Sequence, residues 1–427
     1  MSASGDAGPG PAAPAGWPGA RLLPALRARR LEMGLLGASL AVLALFAGPR
    51  LGHQSHAPHF IYQADAWLHG QLHLRVSPPD DNDWARVGDR WYVSFPPGPA
   101  LLMLPGVALW GLQLDDVSFT LAFAALNVLL LFLWLEALRR AGEHGRTRSQ
   151  DAALALLFAF GTVAFSCSIR GEVWFTAEVL GVTATLLYLL LAHRARRPLL
   201  AGLCWGFAAV TRAPLLFSGV YFLLEVVAGG EGLAQWRGPA TWRDPVRWRR
   251  VGLFALGAAP FLLFAAWSNQ ARFGSPFDFG HAHLWNNRVN ADVARHGLFS
   301  MHYLERQLHA AFTRLPRLEG GRLLWDPQGM SLFVTTPLLL WLLWPRERPR
   351  LHLPLWLAAA ATALPGFLYQ NTGYVQFGYR FSLDWTPYLF GLLALGGRPM
   401  GRAFWTAGLL GVAVNAWGAL AFTGGVN

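Results

Sequence analysis

Apolar runs of roughly 16 to 23 residues alternate with short polar connections along most of the chain. A helix needs about 20 apolar residues to cross the hydrocarbon core of a bilayer, which is about 30 Å thick. The pattern therefore predicts an all-α membrane protein with about 11 transmembrane helices. The candidate spans are residues 31–48, 117–138, 151–169, 173–192, 199–212, 213–228, 251–268, 329–344, 352–369, 383–397 and 403–422.

The composition supports a membrane location. Of the 427 residues, 54% are hydrophobic and 14% are charged, whereas soluble domains carry about 25% charged residues. The net charge of +11 is a general signal for nucleic acid, but the basic residues are all arginines in the connections between apolar runs, which argues against a nucleic-acid partner. Residues 1–30 begin with Ala, Pro, Gly and Ser and predict a disordered cytoplasmic tail. Because no cleavage site follows, we interpret 31–48 as an uncleaved anchor.

The arginines also predict an orientation, since short cytoplasmic loops are enriched in Arg and Lys. With the N-terminus inside, alternate connections place on the cytoplasmic side the clusters Arg139/Arg140/Arg146/Arg148, Arg194/Arg196/Arg197, Arg237/Arg243/Arg247/Arg249/Arg250, Arg346/Arg348/Arg350 and Arg398/Arg402. This agreement requires that residues 99–114, with Pro105-Gly106 at their centre, form a re-entrant or interfacial helix that does not cross. Residues 398–427 then form the last transmembrane helix and an external C-terminus.

Two long connections lie outside in this scheme, a first outer loop at 51–116 and a second at 269–328. The first contains Phe60, Ile61, Ala64 and Trp67 at helical spacing, which predicts an amphipathic helix on the membrane surface. The second is rich in aromatics and glycines and predicts an ordered cap. Ten of the 13 histidines fall in these loops, at positions 53, 56, 59, 69, 73, 281, 283, 296, 302 and 309. The polar, chemically capable side chains are thus predicted to gather on one face of the membrane.

The first loop carries the densest group of carboxylates. Asp80, Asp81 and Asp83 follow Pro78-Pro79 and predict a tight loop. Carboxylates this close repel each other and need a cation, an arginine or a proton to coexist. The alternative is a solvated acidic turn. Asp65, at the edge of the apolar stripe, is a further candidate.

The later charged residues each have a structural and a functional interpretation. Arg170 and Glu172 flank a very short outer connection and either form an ion pair or belong to a site. Arg212 either holds a phosphate with bidentate hydrogen bonds or extends to the interface. Arg380 and Asp384 lie one helical turn apart, a spacing at which opposite charges pair. The histidine spacings do not form a recognisable zinc set, and Cys167 and Cys204 lie in apolar runs where packing is the default interpretation.

The first span is followed at once by a large outer loop with an acidic motif, Asp81-Asn82-Asp83 or Asp80-Asp81. Three further motifs are Tyr62…Ala64…Gly70, Tyr92…Pro96-Pro97-Gly98 and Arg380-Phe381…Pro387. This arrangement resembles the C-type (GT-C) membrane glycosyltransferases, which use polyprenyl-phosphate-linked sugars, and in particular the bacterial branch with protein O-mannosyltransferase-like and lipopolysaccharide-core sugar transferase-like members. The resemblance covers residues 31–397 as a transmembrane transferase domain. One departure is Pro58-His59, where family members often carry an acidic pair before the tyrosine of the interfacial helix.

The resemblance implies a transfer of sugar from a polyprenyl-phosphate donor to a glycan, lipid or protein acceptor. It implies a bacterial inner-membrane protein in contact with membrane lipids, with its active site facing the periplasm. Asp83 is our first choice for the catalytic base, and Asp81 and Asp65 are the alternatives. Asp81 and Glu172 are expected to help the catalytic base or to bind a metal. The substrate-binding candidates are Arg380 as the first choice for the donor phosphate, Arg212 as the second, and Tyr92, Tyr62, Arg170 and His302.

Two questions stay open at this point. Hard oxygen ligands at Asp81 and Asp83, with Glu172 as a further candidate, suit Mg²⁺ or Mn²⁺, although the chemistry does not require a metal. A lipid-linked glycan transporter or polymerase is the alternative function, but transporters often show repeated halves and no repeat is evident here. A non-enzymatic membrane scaffold is the third hypothesis.

Overall fold

The computed structural model of the protein describes residues 29–228, 243–285 and 287–422, without the side chains of 287–290. Most of the predicted N-terminal tail, Arg237 in its predicted cytoplasmic connection, and residues 423–427 after the last predicted span lie outside this part. Within it the chain is mostly helical. The helices are α1 (Arg30–Ala47), α2 (His59–Leu68), α3 (Gly98–Trp110), α4 (Asp116–Arg140), α5 (Arg148–Phe160), α6 (Ala164–Ser168), α7 (Val173–Ala192), α8 (Pro198–Ala209), α9 (Gly219–Ala228), α10 (Pro245–Phe273), α11 (Asn287–His296), α12 (Leu304–Leu308), α13 (Leu332–Thr335), α14 (His352–Leu368), α15 (Thr386–Leu395) and α16 (Arg402–Ala421).

Five helices in the described part, α1, α4, α7, α10 and α16, are long and apolar enough to cross a membrane. Helices α3, α8, α9, α14 and α15 are apolar but shorter. Large apolar side chains on the long helices remain exposed, such as Leu45 at 76%, Leu263 at 68% and Leu420 at 68%. Exposed apolar surface of this kind is expected on a face that contacts lipid. The protein is therefore a membrane protein, while the predicted number of 11 spans is not confirmed.

Three of the predicted spans are not continuous α-helices. The segment predicted at 213–228 begins with a 3-10 helix at Ala213–Ser218, and α9 follows it. The segment predicted at 151–169 breaks after Phe160, where Gly161 ends α5 and the short α6 follows. The segment predicted at 329–344 contains only the four residues of α13, followed by a 3-10 helix at Pro337–Leu343. Thr336, at φ −140° and ψ 67°, leaves the helical region directly before Pro337, because a proline disfavours the α conformation in the residue that precedes it. Apolar length alone did not reveal these breaks.

The first outer loop is more compact than predicted. Helix α2 is not a surface helix, because residues on nearly all its sides are buried, from His59 and Ile61 to Asp65. It packs against α3 and against an antiparallel hairpin of β1 (Trp84–Val87) and β2 (Arg90–Val93). The turn of this hairpin, Gly88-Asp89, has Gly88 at φ +59°, a conformation that glycine adopts without strain. The all-α prediction thus needs a correction here and at a second hairpin, β3 (Arg317–Glu319) and β4 (Arg322–Leu324).

The two outer loops are packed against each other. Ala85 of β1 forms an antiparallel bridge with Leu284, and the guanidinium of Arg86 lies over the rings of Trp91 and Trp285 at 5.3 and 4.7 Å. Farther along, the backbone N–H of Ser300 donates to the carbonyl of Leu368 at 2.8 Å. Residues of the second loop are therefore fastened both to the hairpin and to the end of α14.

The long helices separate two groups of charged residues. At the start of α4, the carboxylate of Asp116 accepts hydrogen bonds from Ser55 of the first loop. At the other end, beyond Arg140, Glu143 contacts Arg194 at 3.3 Å and Arg350 at 2.8 Å. A helix of 25 residues is about 37 Å long at 1.5 Å per residue. Three of the predicted cytoplasmic arginine clusters thus lie together at the end opposite the first loop, while their side of the membrane stays a prediction.

The close packing of α8 against α10 depends on small residues. Helices α8 and α10 approach so closely that a Cβ atom added at Gly202 would lie 1.9 Å from the carbonyl oxygen of Phe254. The reciprocal contact is at Gly257, where a Cβ atom would lie 2.1 Å from the carbonyl oxygen of Leu199. Small residues allow backbones to approach in this way in membrane proteins, where the hydrophobic effect does not drive helices together.

Candidate active site

Two cavities meet at the end of the helices that carries the outer loops. The first has a volume of about 520 Å³ and contains mainly polar side chains. The second has a volume of about 550 Å³ and a largely apolar wall, to which Phe95, Phe277 and Phe299 contribute. The residues common to both walls are Asp83, Trp174, Gln370, Asn371, Tyr374 and Arg380. A carboxylate and a guanidinium therefore stand at the boundary between a polar and an apolar compartment.

The loop that carries Asp83 is held by its neighbours. Asp80 Oδ1 accepts hydrogen bonds from the backbone N–H of Asn82 at 2.9 Å and from Trp84 Nε1 at 3.0 Å. The ring of His59 stacks on Trp84 with centroids 3.7 Å apart and its Nε2 lies 3.0 Å from the carbonyl oxygen of Asn82. Burial lowers the pKa of His59 to about 4, so this ring is neutral at physiological pH. Asp80 and His59 thus shape the loop and do not face the cavities.

Asp83 has the features of a functional carboxylate. Trp174 Nε1 donates to its Oδ2 at 2.9 Å, and Ser94 Oγ donates to its backbone carbonyl at 2.9 Å. Its φ of +60° lies in the left-handed region, which residues other than glycine seldom adopt. Burial raises the pKa of Asp83, and the bond from Trp174 and the charge of Arg380 oppose this. A carboxylate that borders a cavity and whose pKa is raised by burial is a candidate functional group.

Four charged side chains, three of them buried and Arg212 partly exposed, form an alternating chain beside the cavities. Arg212 donates from Nε and Nη2 to the two carboxylate oxygens of Asp384 at 2.5 and 2.8 Å. Arg212 Nη1 lies 3.7 Å from Glu178 Oε1, and Arg380 Nη1 donates to the same oxygen at 2.6 Å. We call Asp384, Arg212, Glu178 and Arg380 the charge quartet. The local pairing of Arg380 with Asp384 that their spacing suggested is replaced by these two longer-range pairs.

Arg380 is held on the boundary by backbone contacts as well. Its Nε donates to the carbonyl of Gly373 at 3.2 Å, and its backbone N–H donates to Gln376 Oε1 at 2.9 Å. Gln376 is fully buried, and Gly373 has φ +104°. The segment from Gln370 to Arg380 therefore forms one wall of both cavities.

The other predicted site residues lie apart from the cavity walls. Glu172 forms a buried pair with Arg170, with Nη2 donating to Oε1 at 2.5 Å, and His56 Nδ1 lies 3.3 Å from the same carboxylate. Asp65 is paired with Arg75 at 3.2 Å. Asp81 and His302 are exposed, and the ring of His302 stacks on His296. Tyr62 packs on Trp84, and Tyr92 packs on Phe273. Their predicted roles stay untested predictions.

The described residues do not bring a metal-ligand set together. No group of three or more His, Cys, Asp or Glu side chains that fits a metal ion occurs among them. Asp81 is exposed, Asp83 accepts from Trp174, and Glu172 is paired with Arg170. The carboxylates proposed from sequence for Mg²⁺ or Mn²⁺ thus do not form a recognisable site in this geometry, and we derive no step through a metal.

Two important contributors were not identified from the sequence. Trp174 was not singled out because its donor role depends on a residue 91 positions earlier. For Glu178, the available signal in the sequence was a single ionisable residue within an apolar helix, a feature that generally marks function or pairing. The polar stretch Gln370-Asn-Thr-Gly-Tyr374, between an apolar run and Arg380, was the available signal for the shared wall.

Comparisons with known proteins add a distant structural similarity. No family model and no curated protein sequence matches the chain. Two crystal structures of the Archaeoglobus fulgidus oligosaccharyltransferase align with it, one in the apo form and one tethered to an acceptor peptide with the NVT sequon through a disulfide bond. Each is 15% identical, with TM-scores of 0.43 and 0.44, and each alignment covers 92% of this chain and 56% of the other. At this level of similarity, we base the functional proposal on the geometry of the site.

Proposed function

We propose that the protein is a membrane glycosyltransferase that moves a sugar from a polyprenyl-phosphate donor to a glycan, lipid or protein acceptor at the outer face of the membrane. The supporting observation is the shared wall on which Asp83 and Arg380 border both a polar and an apolar cavity. A donor of this class has an apolar chain, a phosphate and a polar sugar in sequence. The apolar cavity suits the chain, Arg380 at the boundary suits the phosphate, and the polar cavity suits the sugar and the acceptor.

Asp83 is the proposed base. Its carboxylate removes the proton from an acceptor hydroxyl, whose oxygen then forms a bond to the anomeric carbon of the sugar. The bond between that carbon and the phosphate oxygen breaks, and the polyprenyl phosphate leaves with the electron pair. Since Oδ2 accepts from Trp174, Oδ1 is the oxygen that takes the proton. A carboxylate whose pKa is raised by burial is a stronger base, which improves general-base catalysis near neutral pH.

Arg380 is the proposed phosphate ligand, and Arg212 is the second candidate. Arg380 borders both cavities, whereas Arg212 borders the apolar one. A guanidinium held in a buried position stabilises charge that develops on a leaving phosphate without having to reorganise. The firm support of Arg380 by Gly373 and Gln376 is what such a role requires.

The test is transfer by the purified full chain in detergent or liposomes. Polyprenyl-phosphate-linked hexoses and pentoses serve as donors, and membrane lipid, glycan and peptide fractions serve as acceptors. Asp83→Asn should lower the transfer rate by at least about 100-fold, because general-base catalysis contributes roughly 10²–10⁴. Asp89→Asn is the matched control, since Asp89 is fully exposed at the hairpin turn.

Two results would reject the proposal. Full activity in Asp83→Asn, and likewise in Asp81→Asn and Asp65→Asn, would remove every candidate base. Movement of a lipid-linked glycan across liposomes without formation of a new glycosidic bond would favour the transporter instead.

A further inference from the structure

Glu178 is a buried charge that the transfer steps above do not use. It lies in the apolar helix α7 and is 1% exposed. Its Oε1 accepts from Arg380 Nη1 at 2.6 Å, and its Oε2 accepts from Cys167 Sγ at 3.5 Å. An ionised carboxylate at such a position is costly and is retained where it has a partner or a role.

The charges of the quartet cancel, which bears on phosphate binding. Asp384 occupies Arg212 with two hydrogen bonds, and Glu178 occupies Arg380. The two arginines are therefore both neutralised before a donor arrives, and Asp83 adds a further negative charge at the same boundary. A lipid phosphate that binds Arg380 must share this guanidinium with Glu178.

We propose that Glu178 is a positioning residue that holds Arg380 on the shared wall and, as its counter-ion, weakens the binding of the lipid phosphate so that the product is released. This inference rests on the proposed function. An unpaired arginine in a buried site would bind the phosphate more tightly in the donor and in the product alike. Such uniform binding does not accelerate the chemical step, and slow product release limits many enzymes.

The experiment measures binding of farnesyl monophosphate to the full chain in detergent, with farnesol as the uncharged control. Glu178→Gln keeps an oxygen that accepts from Arg380 but removes the charge. We expect it to bind farnesyl monophosphate about tenfold more tightly or better, since one repulsive charge within a few ångströms is removed from a poorly screened site. Binding of farnesol should not change, and the turnover rate should fall as product accumulates on the enzyme.

Glu225→Gln is the matched control for loss of a buried charge. Glu225 is also fully buried and its carboxylate pairs with Arg350 at 2.5 Å, in the cluster at the opposite end of the helices. It should lower the melting temperature while leaving the affinity for farnesyl monophosphate unchanged. An equal change in both variants would show that Glu178 acts only through stability and would overturn the inference.

The outcomes separate this inference from the proposed function. If the wild-type chain does not bind farnesyl monophosphate, the polyprenyl-phosphate donor is rejected and the inference with it. If the wild type binds and Glu178→Gln binds equally or more weakly, only the role of Glu178 is rejected. Should Glu178→Gln fail to fold, Glu178→Asp keeps the charge and withdraws it by one methylene. This variant should bind farnesyl monophosphate with an affinity within about threefold of wild type, because the charge beside Arg380 is retained. Its turnover should be slower, and an unchanged turnover rate would contradict the positioning role.

Discussion

The hydrogen bond between Trp174 and Asp83 leads to a prediction about the pH dependence of activity. Trp174→Phe keeps an aromatic ring in the wall and removes the Nε1–H that donates to Asp83 Oδ2 at 2.9 Å. Burial already raises the pKa of Asp83, and this bond lowers it. Removing the bond therefore raises the pKa further, because the charged form loses a donor.

The magnitude follows from the strength of such bonds. A hydrogen bond to a charged group contributes about 1.5–3 kcal/mol, and one pKa unit corresponds to about 1.4 kcal/mol. The acid limb of the pH profile should therefore move to higher pH by about 1 to 2 units. The base works only when it is ionised, so transfer at pH values below the new pKa is lost, while transfer at high pH is retained.

The assay is kcat/KM for sugar transfer as a function of pH, since this parameter reports the ionisations of the free enzyme. Trp91→Phe is the control, because Trp91 lies in β2 and contacts Arg86 instead of Asp83. An acid limb that stays at the wild-type position in Trp174→Phe would refute the assignment of Asp83 as the base. A shift of the same size in Trp91→Phe would show that the effect is not specific to this bond.

Three further substitutions test the surroundings of the site. Gly373→Ala should lower the transfer rate by at least about tenfold, as measured by kcat on the folded protein. An added Cβ atom would lie 2.5 Å from Gln376 Oε1, and the backbone φ of +104° at this position strains any residue other than glycine. Asp65→Asn should lower the free energy of unfolding by about 1–2 kcal/mol, because it breaks the pair with Arg75. Transfer by the folded fraction should stay within about threefold of wild type, and a complete loss of transfer would favour Asp65 over Asp83 as the base. Gly202→Val should lower the free energy of unfolding by about 3 kcal/mol through overpacking of α8 against α10. An unchanged melting temperature would contradict the close approach of the two helices, in which an added Cβ atom at Gly202 would lie 1.9 Å from the carbonyl oxygen of Phe254.

The lengths of the apolar runs predicted most helices of the described part, since burial of backbone polar groups in a bilayer leaves few alternatives to a helix. Helices α4, α7 and α16 begin and end within a few residues of their predicted limits. The same reasoning missed the break at Gly161 and the short helix before Pro337. Hydropathy measures how apolar a segment is, but it does not report how its backbone bends against neighbouring helices.

Residue chemistry and one-sided placement along the chain were enough to identify Asp83, Arg380 and Arg212 as candidates. The partners of these residues were not accessible in the same way. Local spacing predicted a pair between Arg380 and Asp384, whereas Arg380 pairs with Glu178, 202 positions away, and Arg212 pairs with Asp384, 172 positions away. Charges four residues apart attract only weakly on an exposed helix, so buried groups brought close by packing determine the pairing. Tertiary structure alone therefore decided which guanidinium borders both cavities and which carboxylate neutralises it.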